Sequence, residues 1–74
     1  MHYVYVIKQI KDDIYYIGYT SDLKRRFKEH NAGQECKLIY YESYLFDKSA
    51  RQRERSLKQY GGAWRSLRKR LNLK

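Results

Sequence analysis

The chain is expected to fold as a small α+β domain, a three-stranded mixed or antiparallel sheet with packed helices in the order β-β-α-β-α-α. Three observations lead there. Two Tyr/Val/Ile-rich runs flank the turn-forming "KDD" near the start, a third such run follows at "KLIYYESYLF", and three segments repeat apolar residues at helical spacing. No proline interrupts any of them, and 42% hydrophobic residues are too many for a disordered chain. At 74 residues there is room for one domain, expected to span 1–74, with a thin core in which a buried polar group needs a reason.

The elements follow in order. His2 to Ile10 and Ile14 to Gly18 read as a hairpin about Lys11-Asp12-Asp13. A two-residue turn at Asp12-Asp13 puts Gln9 opposite Tyr16, and the period of two then places Tyr5 on the face of Tyr16. Thr20 or Ser21 can cap a first helix over about 21–32, with Asp22 a further capping candidate and Asn31-Ala32-Gly33 as its stop. Leu23 and Phe27 centre its apolar stripe, Lys24, Arg25 and Lys28 fall on the far side, and Arg26 and His30 flank the stripe, which predicts a half-buried Arg26. Lys37 to Phe46 reads as the third strand, and Asp47 as the cap of a second helix over about 48–60 that Gly61-Gly62 ends. A third helix over about 63–72 repeats Trp64, Leu67 and Leu71 on one stripe and shows Arg65, Arg68, Lys69 and Arg70 elsewhere.

Several function classes drop out. One cysteine excludes an internal disulfide, and with two distant histidines it excludes a four-ligand structural zinc site. The longest apolar run is far short of the ~20 residues that span a bilayer, and no leader-like segment opens the chain, so a cytoplasmic protein without membrane association is expected. A glycine-rich phosphate loop is absent, which leaves nucleotide-dependent chemistry unsupported.

The formal charge of +9 is concentrated: residues 48–74 carry ten bases and one acid. Such a field attracts polyanions, and nucleic acid is the expected one, with a solvated basic surface or an anionic membrane patch as the alternatives. Nine tyrosines add stacking surface, although strand formation also accounts for them. The lone acid of the second helix is Glu54, i+4 from Ala50 and i−3 from Leu57, which puts it on the inward face. By spacing alone it serves either an intrahelical pair with Arg51 or Lys58 or some other purpose.

Tyr5, then "YIG" at 16–18, "KRRFKEHN" with Arg26 and His30, and Glu54 on a later helix together resemble the GIY-YIG nuclease superfamily, in particular its small single-domain bacterial members. "YIG" is literal, whereas the first motif is degenerate, "YVY" at 3–5. The likeness covers almost the whole chain; the stretch 34–37 is abbreviated, and Asn72 is the only candidate for an asparagine that some members carry late in the chain.

What the resemblance implies is divalent-metal-dependent hydrolysis of a nucleic-acid phosphodiester. Tyr5 and Tyr16 would deprotonate or position the attacking water, and since a phenol of pKa ~10 is a weak base at neutral pH, a nearby arginine or the metal has to favour phenolate. Arg26 would bind the phosphate oxygens, for which its planar fork is suited. Glu54 would hold Mg²⁺ or Mn²⁺ in a one-metal scheme. His30 would relay a proton or contact phosphate, or simply pack. Gly18 would let substrate approach the backbone, Tyr19 and Thr20 would offer hydroxyls, and Arg25, Arg51, Arg55, Lys58, Arg65 and Arg68 would line the path of the nucleic acid.

The expected function is therefore an endonuclease acting on DNA, structure- or single-strand-selective, monomeric, with no partner protein indicated. The alternatives are a non-catalytic nucleic-acid-binding module on the same scaffold, and a protein-interaction domain with an exposed tyrosine face.

Overall fold

The structure, a computed structural model, describes residues 1–73. Its elements are β1 (His2–Gln9), β2 (Ile14–Thr20), α1 (Leu23–Gly33), β3 (Cys36–Tyr44), α2 (Asp47–Lys58) and α3 (Gly62–Arg70), the expected order. The sheet is antiparallel throughout, with strand order β2-β1-β3. None of the helices among the described residues is long and apolar enough to cross a membrane.

The central place of β1 explains its composition. Val4, Tyr5, Val6 and Ile7 are all buried, because helices cover both faces of the strand and alternation with polar residues would bury unpaired groups. Val4 and Val6 join Ile17, Ala50, Leu57, Trp64 and Leu67 in the core beneath α2 and α3. Tyr5, Ile7 and Gln9 point to the other face, towards α1. That layer is thinner. No residue of α1 is fully buried, and Leu23 and Phe27 line an open apolar groove of about 630 Å³ with Tyr3, Leu38 and Tyr41.

The hairpin differs from expectation in its turn. Gln9 pairs with Ile14 and Tyr5 with Gly18, so the loop holds four residues, Ile10 to Asp13, rather than two. Asp13 takes the left-handed conformation (φ 57°), which aspartate tolerates, and its carboxylate meets Lys8 Nζ at 2.8 Å. The register is shifted by two, and an even shift preserves the faces, so Tyr5 and Tyr16 still share one.

Other boundaries also move. Asp22, not Thr20 or Ser21, caps α1: its Oδ1 accepts the Arg25 N–H at 3.2 Å, while Thr20 Oγ1 accepts the Asp22 N–H at 3.0 Å. Asp47 is the first residue of α2 rather than its cap, Phe46 holding the cap position, and an acid in the first turn still complements the helix dipole. Beyond α2 the left-handed residue is Tyr60 (φ 56°) and not a glycine. A bulge between Val6 and Ile7 leaves Ile39 of β3 without a counterpart in β1.

Two polar features of this thin core stand out. Glu42, on the α2 face of β3, accepts hydrogen bonds from Arg53 (Nε–Oε1 3.0 Å), Tyr40 (2.7 Å) and Tyr44. Burial pushes its carboxyl pKa up, but those three donors outweigh burial and leave it below the usual carboxylate range. Tyr44 is driven the opposite way, to about 12, by burial and by the carboxylate it donates to. The second feature is Gln9, 4% exposed, whose Oε1 is buried without a hydrogen-bond partner. Such an orphan costs a fold about 1–3 kcal/mol.

Candidate active site

Gly18 is the point on which the α1 face is organised. A Cβ built there would lie 2.3 Å from both Cζ and the hydroxyl oxygen of Tyr5, so the phenol of Tyr5 rests directly on the Gly18 backbone. Only glycine leaves that space. Tyr5, from the central strand, thus carries its hydroxyl across the edge strand β2, and its 3% exposure fixes the ring in place.

The hydroxyl then meets α1. It lies 3.2 Å from His30 Nε2, and the two rings are edge-to-face at 6.0 Å. Arg26 stands one turn earlier on the helix. The adjacent Tyr5 oxygen, and more weakly Glu29, keep its guanidinium pKa above the ordinary arginine value. Arg26 is half-buried, as expected: its side chain is 51% exposed and pairs with Glu29 at 3.4 Å. The reason is that α1 rests on the sheet through Leu23 and Phe27 without sinking into it. A guanidinium anchored beside a phenol yet open to solvent can receive a phosphate without first losing a buried partner.

Tyr16 is 46% exposed on the same face and, with His30, Gln9, Asp12 and Glu29, borders a polar hollow of about 490 Å³. Glu54 stands in the other layer. Its side chain is 22% exposed, and Oε2 pairs with Lys58 Nζ at 3.1 Å, the second of the two intrahelical partners its spacing allowed, since Arg51 is taken by Asp47. Tyr5, Arg26 and His30 are therefore gathered into one group, Tyr16 borders it, and Glu54 lies outside its hydrogen bonds.

The remaining basic and hydroxyl residues divide. Tyr19 faces α2, where its hydroxyl donates to Asp47, Arg51 lies 4.6 Å over its ring and His2 stacks on it; Asp47 in turn holds the Tyr19 pKa above the ordinary phenol value. Its hydroxyl is thus committed within the fold, as Thr20 Oγ1 is in the turn before α1. Arg68 packs over Trp64. Arg25, Arg55 and Arg65 are exposed. Glu42 and Arg53, which no motif singled out, prove to be structural partners across the core; only the rarity of acids on the strand could have drawn attention to them.

Residues 1–72 match the GIY-YIG catalytic domain. The chain belongs to the GIY-YIG family. A UPF0213 protein of Haloquadratum walsbyi is 37% identical, over 80% of this chain and 75% of that protein. A UPF0213 protein of Halobacterium salinarum is 42% identical, over 85% and 92%. The solution NMR structure of a UPF0213 protein from Bacillus halodurans superposes with a TM-score of 0.57 at 30% identity, covering 78% of this chain and 70% of that one. As a GIY-YIG domain the chain belongs to a nuclease superfamily whose substrate is nucleic acid and whose members generally use divalent metals.

Proposed function

We propose that this GIY-YIG domain is a metal-dependent endonuclease that hydrolyses DNA phosphodiesters, selecting structured or single-stranded sites, and that it acts as a monomeric single domain. The observation that carries this reading is the Tyr5 phenol laid over Gly18, bonded to His30 and flanked by Arg26.

In this scheme Arg26 binds a non-bridging oxygen of the scissile phosphate. As the Tyr5 oxygen takes a proton from the attacking water its own phenolic proton passes to His30 Nε2, which relays it onward, and Tyr16 helps to position that water. The water oxygen bonds to phosphorus as the bond to the leaving oxygen breaks, and that oxygen is protonated from solvent. Among the described residues there is no group of three His, Cys, Asp or Glu that could cage a metal. A single helix-borne carboxylate nevertheless fits a hard cation that keeps most of its waters, and Glu54 is that residue, its partner Lys58 being a half-exposed and flexible side chain. When bound there, Mg²⁺ or Mn²⁺ would stabilise charge on the phosphate and the leaving oxygen. That α2 packs on β2 from one side while the Tyr5 hydroxyl reaches β2 from the other supports a phosphate held at the β2 edge.

The test is cleavage of single-stranded, flapped and duplex DNA with and without Mg²⁺. Tyr5→Phe and Glu54→Gln, each folded by circular dichroism, are expected to lower metal-dependent cutting by about 10²-fold or more. Full activity in Glu54→Gln refutes the metal assignment. Binding without any cutting by the wild type would select the non-catalytic module, which the Glu54–Lys58 pair favours.

A further inference from the structure

The geometry points to a nucleobase pocket beside the Tyr5–His30 pair, built around Gln9 and suited to an unstacked adenine. This rests on the nucleic-acid reading above and adds to it what the site selects.

Gln9 is the one buried polar side chain among the described residues, and its carbonyl oxygen has no partner. Its cross-strand neighbours offer none, because Ile14 has no polar group and the Cys36 thiol donates to the Gln34 carbonyl at 3.1 Å. The buried carbonyl oxygen therefore costs the fold without a partner to offset it. Gln9 lines the polar hollow of about 490 Å³ that His30 closes on one side and the exposed Tyr16 on another. The last torsion of a glutamine is broad and roughly two-fold, so turning the amide about it exchanges the orphaned oxygen and the NH₂ and presents either one to that hollow.

The other polar groups define the occupant. Asp12 and Glu29 line the hollow with carboxylates, which accept hydrogen bonds and repel phosphate. With Glu29 already paired to Arg26, the hollow suits a group that donates N–H and is not an anion. A base turned out of its stack has that character, and the half-exposed Tyr16 ring offers it a stacking surface. An amide pairs with adenine in both directions at once, accepting from N6 and donating to N7, while a nearby carboxylate can take the second N6 hydrogen. Thymine has no exocyclic amine to offer. His30 belongs both to the hollow and to the Tyr5 pair, so a base seated here would lie next to the phosphate that Tyr5 and Arg26 address.

The experiment measures binding of fluorescently labelled dA, dC and dT 12-mers by polarisation at low salt with EDTA, so that cleavage does not intervene. All three are expected to bind, with dA at least about fivefold tighter than dT. Gln9→Met, close in shape, is expected to bring dA to within about twofold of dT while leaving dT binding unchanged. Tyr16→Ala, altering an exposed ring, is expected to weaken dA more than dT. Equal binding of dA and dT by the wild type, dC as the tightest ligand, or a dA preference that survives Gln9→Met overturns the pocket. Failure of every oligonucleotide to bind overturns the nucleic-acid reading itself.

Discussion

Replacing Gly18 with alanine tests whether the Tyr5 phenol rests on the β2 backbone, the contact on which the candidate site is built. The new Cβ would start 2.3 Å from Tyr5 Cζ and hydroxyl oxygen and 2.9 Å from Cε1, against ordinary carbon contacts of ~3.5–4.0 Å. More than an ångström must be opened. The phenol cannot swing freely, since Tyr5 is buried and tied to His30. Overpacking of this kind costs about 1–3 kcal/mol, and loss of the His30 bond adds about 1 kcal/mol. Alanine's advantage over glycine in a strand returns only about 0.5–1 kcal/mol. A net loss of about 1–3 kcal/mol follows, read as a fall in Tm of roughly 4–8 °C per kcal/mol for a chain of this size. Urea unfolding followed by Trp64 fluorescence reports it, because Trp64 lies in the opposite layer and senses unfolding rather than the substitution. The decisive arm is a double-mutant cycle: with Tyr5→Ala in place, Gly18→Ala should cost nothing. A penalty that persists without the Tyr5 ring, or no penalty in the wild-type background, refutes the packing argument.

Two further predictions concern charge. Glu42 has a folded pKa below its unfolded one, so its contribution to stability is present above the ordinary carboxylate range and lost as pH falls through the folded value. Glu42→Gln should therefore lower stability at pH 7 by about 1–3 kcal/mol, a charged hydrogen-bond network being broken, and flatten the acid limb of the stability curve; urea midpoints from pH 7 to 3 check both. Arg55 is exposed and makes no ion pair among the described residues. Arg55→Ala should weaken all oligonucleotides alike and reduce the slope of log K against log salt by about 0.7–0.9, whereas an unchanged slope would remove Arg55 from the path of the nucleic acid.

The sequence alone determined the kinds and order of the elements, since each rests on local spacing: period two in the strands, i, i+3 and i+4 in the helices. It also determined that Tyr5 and Tyr16 share a face, because the parity of a hairpin survives any even change in its turn. The motif of Tyr5, "YIG", Arg26, His30 and Glu54 was legible for the same reason, being a matter of residue types at fixed intervals. Tertiary structure decided what no interval encodes. The turn adopted four residues because Asp13 could enter the left-handed region and reach Lys8. Arg26 came to lie beside the Tyr5 oxygen and Glu29 because α1 sits lightly on the sheet. Glu42 found Arg53, and Tyr19 found Asp47, across separations of 11 and 28 residues. Gln9 became an unpartnered amide in a core because β1 is the central strand, covered on both faces, and the order of strands in a sheet is a long-range choice that neighbouring residues do not specify.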